Sequence, residues 1–166
     1  PMKAEDADLV VLPEGTVPFP VGGSEAGEAL EALRSVAERM DSPVVFGGLG
    51  LVRQTAGRGG DRTVSNSAFL LLPGTVGLQR YDKVRLVPVM EGGRYGRESL
   101  LKTFDSDGWT VAPLLCYESI FGGLARKAVA GGAEMLLNLS SDVWFGRAGS
   151  FPGSLFLRQH PAHLIM

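Results

Sequence analysis

The chain has 166 residues, of which 45% are hydrophobic and 20% are charged, and its formal net charge is −2. These values are typical of one soluble globular domain, and the small net charge gives no electrostatic reason to expect nucleic-acid binding. The sequence contains one cysteine, Cys116, which excludes an internal disulfide and a cluster of thiolates around zinc.

Short apolar runs bounded by glycine, proline or polar residues predict six buried strands, at 8–14, 42–52, 65–74, 76–88, 109–119 and 134–142. Helical spacing of apolar side chains predicts a helix over 24–40, with Ser24 as its N-cap, and a shorter helix over 122–133. A polar, glycine-rich stretch at 53–64 is predicted to be a hairpin tip. Residues 154–166 are expected to begin a further helix. No apolar run reaches the ~18 residues of a membrane-spanning helix.

Alternating strands and helices, with continuously apolar strands and some hairpin links, predict an α/β fold with a layered sheet of mixed direction. In such folds the chemistry lies just past the carboxyl ends of core strands. Polar residues occupy four positions of this kind: Glu14, Lys83, Cys116 and Asp142.

Three of these residue types form a chemically sensible set. A thiol is mostly protonated at neutral pH, so a nucleophilic Cys116 needs a base or a positive charge nearby. A partly buried Glu14 could take the thiol proton, and Lys83 would favour the thiolate and stabilise an oxyanion. Both histidines lie near the C-terminus, so no Cys/His pair competes. The set predicts acyl transfer through a thioester, with no metal or organic cofactor.

Each residue also has a purely structural interpretation. A single Cys116 at the end of an apolar strand is most often a small buried hydrophobe. Glu14 after Leu-Pro could cap a turn, and Lys83 in a basic segment could be a solvated loop charge. Trp144 and Phe145 are more often packing residues than a substrate wall. Spacing alone favours these structural interpretations.

Four distinctive segments follow one another along the chain: DLVVLPEG (8–15), YDKVRLVPVMEGG (81–93), LLCYESIFGG (114–123) and LLNLSSDVWFG (136–146), with RQH (158–160) after them. In this order they resemble the nitrilase superfamily of carbon–nitrogen hydrolases. The resemblance is strongest to its membrane-bound branch, the apolipoprotein N-acyltransferases. It implies a nitrilase-type αββα sandwich with a mixed sheet. We expect residues 1–166 to be a single catalytic domain, a fragment that is incomplete at both ends and lacks the branch's membrane helices.

The resemblance also implies roles for individual residues. Glu14 would be the general base, Lys83 the cation that stabilises the oxyanion, and Cys116 the nucleophile. Glu91 matches a second glutamate that helps to position the reacting groups, and Glu118 matches a supporting glutamate after the nucleophile. The resemblance also implies that Trp144 and Phe145 lie near the entry for the acyl chain, as substrate-binding residues.

The implied reaction is ping-pong. The cysteine would take an acyl chain from a phospholipid and pass it to the N-terminal amine of a diacylglyceryl-cysteine lipoprotein. The parent protein would lie in a bacterial inner membrane with this domain on the periplasmic side, although the chain alone looks soluble; homo-oligomers are compatible with the sequence. One alternative is a soluble amidase of the same superfamily, which hydrolyses a small C–N substrate through the same triad. Another is a catalytically inactive, truncated remnant.

Overall fold

The computed structural model describes residues 7–52, 63–88, 90–91, 100–106 and 108–141, together with the backbone of 162–165. The described chain forms two β-sheets and two α-helices, named in chain order. The strands are β1 (Val10–Val11), β2 (Val17–Val21), β3 (Val44–Val52), β4 (Thr63–Leu71), β5 (Leu78–Asp82), β6 (Phe104–Asp105), β7 (Thr110–Leu115), β8 (Met135–Leu139) and β9 (Ala162–Ile165). The helices are α1 (Gly27–Met40) and α2 (Gly122–Ala130).

The first sheet is built around β3. One edge of β3 pairs antiparallel with β4 along nine residues, and β4 pairs antiparallel with β5. The other edge is shared: β1 pairs in parallel with the start of β3, and β2 pairs in parallel with its end. The chain between β1 and β2 therefore passes the middle of β3 on this edge.

The second sheet has the order β6–β7–β8–β9. Its two central strands, β7 and β8, are parallel, with Leu115 opposite Leu139 at their carboxyl ends. The outer strands β6 and β9 are both antiparallel to their neighbours. Both sheets are thus of mixed direction.

The two sheets pack face to face, with a helix on each outer side. Val45 and Leu70 of the first sheet share one buried cluster with Leu115 and Leu137 of the second. On the outer face of the first sheet, α1 packs apolar side chains against a separate cluster that includes the stacked rings of Phe46 and Phe69. On the outer face of the second sheet, Ala128 of α2 contacts Ala112 of β7. The layers are therefore helix, sheet, sheet, helix, which confirms the predicted αββα sandwich.

Most predicted elements are confirmed, and several details differ. The strand predicted at 8–14 is regular only at Val10–Val11. Ser24 does not cap α1, because Ser24–Ala26 forms a 3₁₀ turn and the N-cap position falls at Ala26. Strands β2 and β6 were not predicted. The prolines of β2 lack the backbone N–H that strand pairing uses, and the two residues of β6 are too few to show an alternating pattern.

The prediction of a helix at 154–166 is wrong for 162–165, the part of that segment that the structure describes. Residues Ala162–Ile165 form β9, whose pairing with β8 supplies partners for the backbone groups along that edge of β8. The pairing of Val52 with Thr63 confirms the predicted β3–β4 hairpin, while its tip at 53–62 lies outside the described residues. Within the described residues, neither helix has the length and apolarity needed to span a membrane.

The face-to-face packing leads to a stability prediction. Leu70 is 1% exposed between the sheets, whereas Val76 is 86% exposed in a turn. We expect Leu70→Ala to lower the free energy of unfolding by about 2–5 kcal/mol, because it leaves a cavity that the sandwich cannot close. The matched truncation Val76→Ala should change it by less than about 0.5 kcal/mol. Denaturant unfolding measures both, and equal effects would contradict the described core.

Candidate active site

Glu14 lies in the turn between β1 and β2, where the chain passes close to Gly47 of β3. The amide of Gly47 in β3 donates a hydrogen bond to the Pro13 carbonyl, with 3.2 Å between the two atoms. A Cβ added to Gly47 would lie 2.5 Å from the Glu14 Cα atom, closer than real Cβ contacts come. The turn also uses Gly15 at φ +74°, a conformation that favours glycine. The close approach of two backbones therefore sets the position of Glu14, whose side chain is 7% exposed.

Lys83 follows β5 directly, and its side chain is 1% exposed. Its backbone amide donates to the Asn66 carbonyl of β4 at 2.9 Å, which continues the β4–β5 pairing by one more bond. The Lys83 Nζ atom lies 2.9 Å from Glu91 Oε1 and 3.5 Å from Glu14 Oε1. The buried ammonium group is thus placed between two carboxylates.

Asn66 joins the same two carboxylates from the β4 side. Its Nδ2 atom donates to Glu14 Oε1 at 2.6 Å and to Glu91 Oε1 at 2.9 Å. Asn66 was not among the residues predicted from the sequence. The available signal was a polar SNS triplet at the start of an otherwise apolar strand, since asparagine is depleted in strands unless its amide has a partner.

Glu91 and Glu14 use their second oxygens differently. Glu91 Oε2 accepts a hydrogen bond from the Val87 amide at 2.7 Å, so both of its oxygens are occupied. Glu14 Oε2 is buried and receives no hydrogen bond from any described residue. Among the described residues, one oxygen of Glu14 therefore has no hydrogen-bond donor and is available to exchange a proton.

Cys116 lies where β7 ends and a 3₁₀ helix, Cys116–Ile120, begins. Its φ angle is +49°, a left-handed conformation that is uncommon for a residue other than glycine. The residue is half-buried. This sharp change of direction presents the thiol beyond the carboxyl end of the second sheet, next to the Glu14–Lys83–Glu91 cluster.

The charges of this cluster act on the thiol and on the lysine. Burial, and after it the Glu14 carboxylate, raise the pKa of Cys116 above its usual value, while the Ser140 hydroxyl and Lys83 oppose the rise. Burial would lower the pKa of Lys83, but the carboxylates of Glu14 and Glu91 outweigh burial and raise it. These shifts favour the charged form of Lys83 and the protonated form of Cys116.

Glu118 is fully buried behind the cluster. Its carboxylate accepts hydrogen bonds from one phenol and three backbone amides: the Tyr81 hydroxyl and the amides of Val84, Arg85 and Leu115. Burial raises its pKa, and these donors oppose that rise. Since the amides come from the segment after Lys83 and the strand before Cys116, Glu118 fixes the two segments relative to each other.

The structure therefore brings together five of the residues proposed from sequence. Glu14, Lys83, Glu91 and Cys116 interact directly, and Glu118 supports them. The other proposed residues, Asp142, Trp144 and Phe145, lie outside the described part of the chain. In the described ranges, no three or more His, Cys, Asp or Glu side chains are grouped in a way that could hold a metal ion.

Comparison with known proteins gives a consistent family assignment. A family model described as carbon-nitrogen hydrolase matches residues 1–162. Among curated proteins, the chain is similar to the apolipoprotein N-acyltransferase of Chlorobaculum tepidum (28% identity, 87% of this chain and 34% of that protein). It is also similar to the apolipoprotein N-acyltransferase of Caulobacter vibrioides (31% identity, 98% of this chain and 34% of that protein). The chain spans about a third of the length of these relatives.

The fold resembles that of several solved structures, one of which is described as an amidase from the nitrilase superfamily. A mutant of the Nesterenkonia AN1 amidase superposes with a TM-score of 0.61 at 23% identity, over 82% of this chain and 53% of that one. The glutamine-dependent NAD+ synthetase of Acinetobacter baumannii superposes with a TM-score of 0.58 at 20% identity, over 82% of this chain and 26% of that one. At these identities the likeness establishes the shared fold.

The close approach at Gly47 can be tested with a pair of matched substitutions. Gly47→Ala should lower the free energy of unfolding by about 1–3 kcal/mol, because the new methyl group meets the backbone of Glu14. Gly27→Ala, at the start of α1, meets nothing within 4 Å and should stabilise the protein by up to about 1 kcal/mol. Denaturant unfolding of both variants checks the difference. A neutral Gly47→Ala would contradict the described turn.

A second prediction concerns the charge of Glu14. Since its carboxylate raises the pKa of Cys116, Glu14→Gln should lower that pKa and move the pH midpoint of thiol alkylation to lower pH. The protein has one cysteine, so the iodoacetamide rate, followed by intact mass, reports on Cys116 alone. The exposed Glu38→Gln on α1 serves as the charge-matched control and should leave the midpoint unchanged. A midpoint that moves to higher pH in Glu14→Gln would contradict the geometry.

Proposed function

The chain belongs to the carbon–nitrogen hydrolase family, and on that basis we propose that it is the catalytic domain of a lipoprotein N-acyltransferase. In this proposal, a phospholipid acyl chain passes through a Cys116 thioester to the N-terminal amine of a diacylglyceryl-cysteine lipoprotein. The observation that carries the proposal is the meeting of Glu14, Lys83 and Cys116 at one site, in a chain whose curated relatives are named apolipoprotein N-acyltransferases.

The first half-reaction forms the thioester. Glu14 Oε2, which no described residue occupies, takes the proton from the Cys116 thiol as the sulfur attacks the ester carbonyl carbon of the phospholipid. A carbon–sulfur bond forms, and the negative charge that develops on the carbonyl oxygen is stabilised by the ammonium group of Lys83. The carbon–oxygen bond of the ester then breaks, and Glu14 returns the proton to the departing lysophospholipid alcohol.

The second half-reaction transfers the acyl group. The lipoprotein amine attacks the thioester carbonyl, Glu14 accepts a proton from the amine, and Lys83 again faces the developing oxyanion. The carbon–sulfur bond breaks, and the proton on Glu14 restores the Cys116 thiol. An amide has formed, and the enzyme is unchanged. No external oxidant, metal or cofactor enters this balance.

Two residues of the cluster keep the catalytic groups in position. Glu91 shares its Oε1 atom between Lys83 Nζ and Asn66 Nδ2, at 2.9 Å from each. It therefore holds the ammonium group while Glu14 Oε2 has no donor among the described residues. Asn66 fixes the Glu14 carboxylate from the other side.

The remaining assignments in the proposal rest on the resemblance. Trp144 and Phe145 are proposed to line the entry for the acyl chain. Residues 1–166 are proposed to be a single catalytic domain on the periplasmic side of a bacterial inner membrane, in a parent protein that carries membrane helices. This chain spans about a third of the length of its relatives. That third is proposed to contain the residues that carry out acyl transfer.

The thioester itself can be tested directly. We expect incubation with dipalmitoylphosphatidylethanolamine in detergent micelles to add one palmitoyl group to the protein, seen by intact-mass spectrometry. Cys116→Ser, which keeps the shape of the side chain but is far less acidic, should show no adduct. Adding a diacylglyceryl-cysteine peptide should then remove the palmitoyl group from the protein and place it on the peptide.

Three results would separate this proposal from its alternatives. An adduct that needs Cys116 and passes to the peptide amine supports the transferase. A folded protein without an adduct that releases ammonia from small amides would be a hydrolase with the same triad. A folded protein that does neither would be an inactive remnant.

A further inference from the structure

Ser140 is the first residue after β8, and Cys116 is the first residue after β7. The two strands are parallel, and their last paired residues are Leu115 and Leu139. The next residue on each strand is therefore Cys116 on one and Ser140 on the other. The register therefore places these two residues next to each other just beyond the strand ends, and the Ser140 hydroxyl is close enough to the thiol to affect its ionisation.

The Ser140 hydroxyl is buried without a conventional partner. The residue is 1% exposed, and its Oγ atom makes no hydrogen bond of ordinary geometry with any described residue. A buried hydroxyl that lacks a partner costs free energy, and such groups in native proteins have a functional or structural explanation. Here the adjacent group is a thiol, which is a weak hydrogen-bond acceptor until it loses its proton.

We propose that the Ser140 hydroxyl donates a hydrogen bond to the Cys116 sulfur when the thiol ionises, and so acts as a positioning residue for the nucleophile. The inference deepens the proposed function, since its value to the protein rests on Cys116 being the attacking group. A hydrogen bond to a charged acceptor is stronger than one between neutral groups. The hydroxyl therefore favours the thiolate over the thiol.

The charges that face Cys116 explain why a neutral donor is useful at this position. Glu14, in the β1–β2 turn, and Glu91 both disfavour a negative sulfur, while Lys83, after β5, favours it. The ammonium group of Lys83 is already shared with the two carboxylates. The Ser140 hydroxyl lowers the pKa of Cys116, and it carries no net charge that would attract either carboxylate. It thus offsets part of the carboxylate effect without disturbing the Lys83 cluster.

The test uses the pH dependence of alkylation at the single cysteine. We expect Ser140→Ala to move the alkylation midpoint to higher pH and to lower the iodoacetamide rate below that midpoint by about tenfold, as for the loss of a hydrogen bond to a charged group. Ser140→Thr, which keeps a hydroxyl, should restore most of the rate. Ser106→Ala serves as the matched control, because Ser106 is a buried serine before the opposite, amino-terminal end of β7.

Other results would overturn the inference. An unchanged midpoint in a folded Ser140→Ala variant would show that the hydroxyl does not act on the sulfur. A Thr variant that behaves like Ala would assign the effect to packing. Loss of folding in Ser140→Ala, judged by circular dichroism, would contradict a role confined to the thiol. Alkylation needs no phospholipid, so this result stands apart from the acyl-adduct experiment, and the inference and the proposed function can fail separately.

Discussion

The buried ammonium group of Lys83 is the constraint on which the rest of the site depends. A charge with 1% exposure costs several kcal/mol of lost hydration unless opposite charges and hydrogen bonds replace the water. Glu14 and Glu91 supply the opposite charge, and Asn66 holds the two carboxylate oxygens that face the lysine. Four parts of the chain must therefore meet at one point: the β1–β2 turn, β4, the end of β5 and the segment that carries Glu91. The paired carboxylates that make burial possible are also the groups that the proposed chemistry requires.

Glu118 extends this constraint from the first sheet to the second. Its carboxylate binds the backbone just after Lys83 and just before Cys116, so the lysine and the thiol are held by one buried group. Its Tyr81 partner comes from β5, and burial together with this carboxylate raises the pKa of the Tyr81 phenol, which keeps it a donor. The two sheets meet through apolar side chains over most of their area. Glu118 adds a directional link at the end where the site lies.

The sequence predicted the sandwich, and it also indicated the segments that meet at the candidate site, for a reason that can be named. Continuous apolar runs mark buried strands, and the segments around Glu14, Lys83 and Cys116 resemble family motifs that have a fixed order. The rest depends on contacts between distant segments. Asn66 gains its role only because β3 and β4 place it opposite the β1–β2 turn. Gly47 gains its role because that turn passes β3 at van der Waals distance. Ser140 becomes relevant only through the β7–β8 register. No local pattern carries such information, and for the same reason β9 was mistaken for a helix.

The electrostatics of the site favour a proposed nucleophile that stays protonated until substrate arrives. Two carboxylates and one ammonium surround Cys116, and burial with the first carboxylate raises the pKa of the thiol. A protonated thiol reacts slowly with oxidants and stray electrophiles, which would protect the side chain that the proposed cycle regenerates after each turnover. Glu14 Oε2, with no described donor, can take the proton as the sulfur attacks a carbonyl carbon. The charge then moves from sulfur to the carbonyl oxygen, where Lys83 is proposed to stabilise it. Proton removal and bond formation are thereby coupled, so this arrangement needs no permanently ionised thiolate.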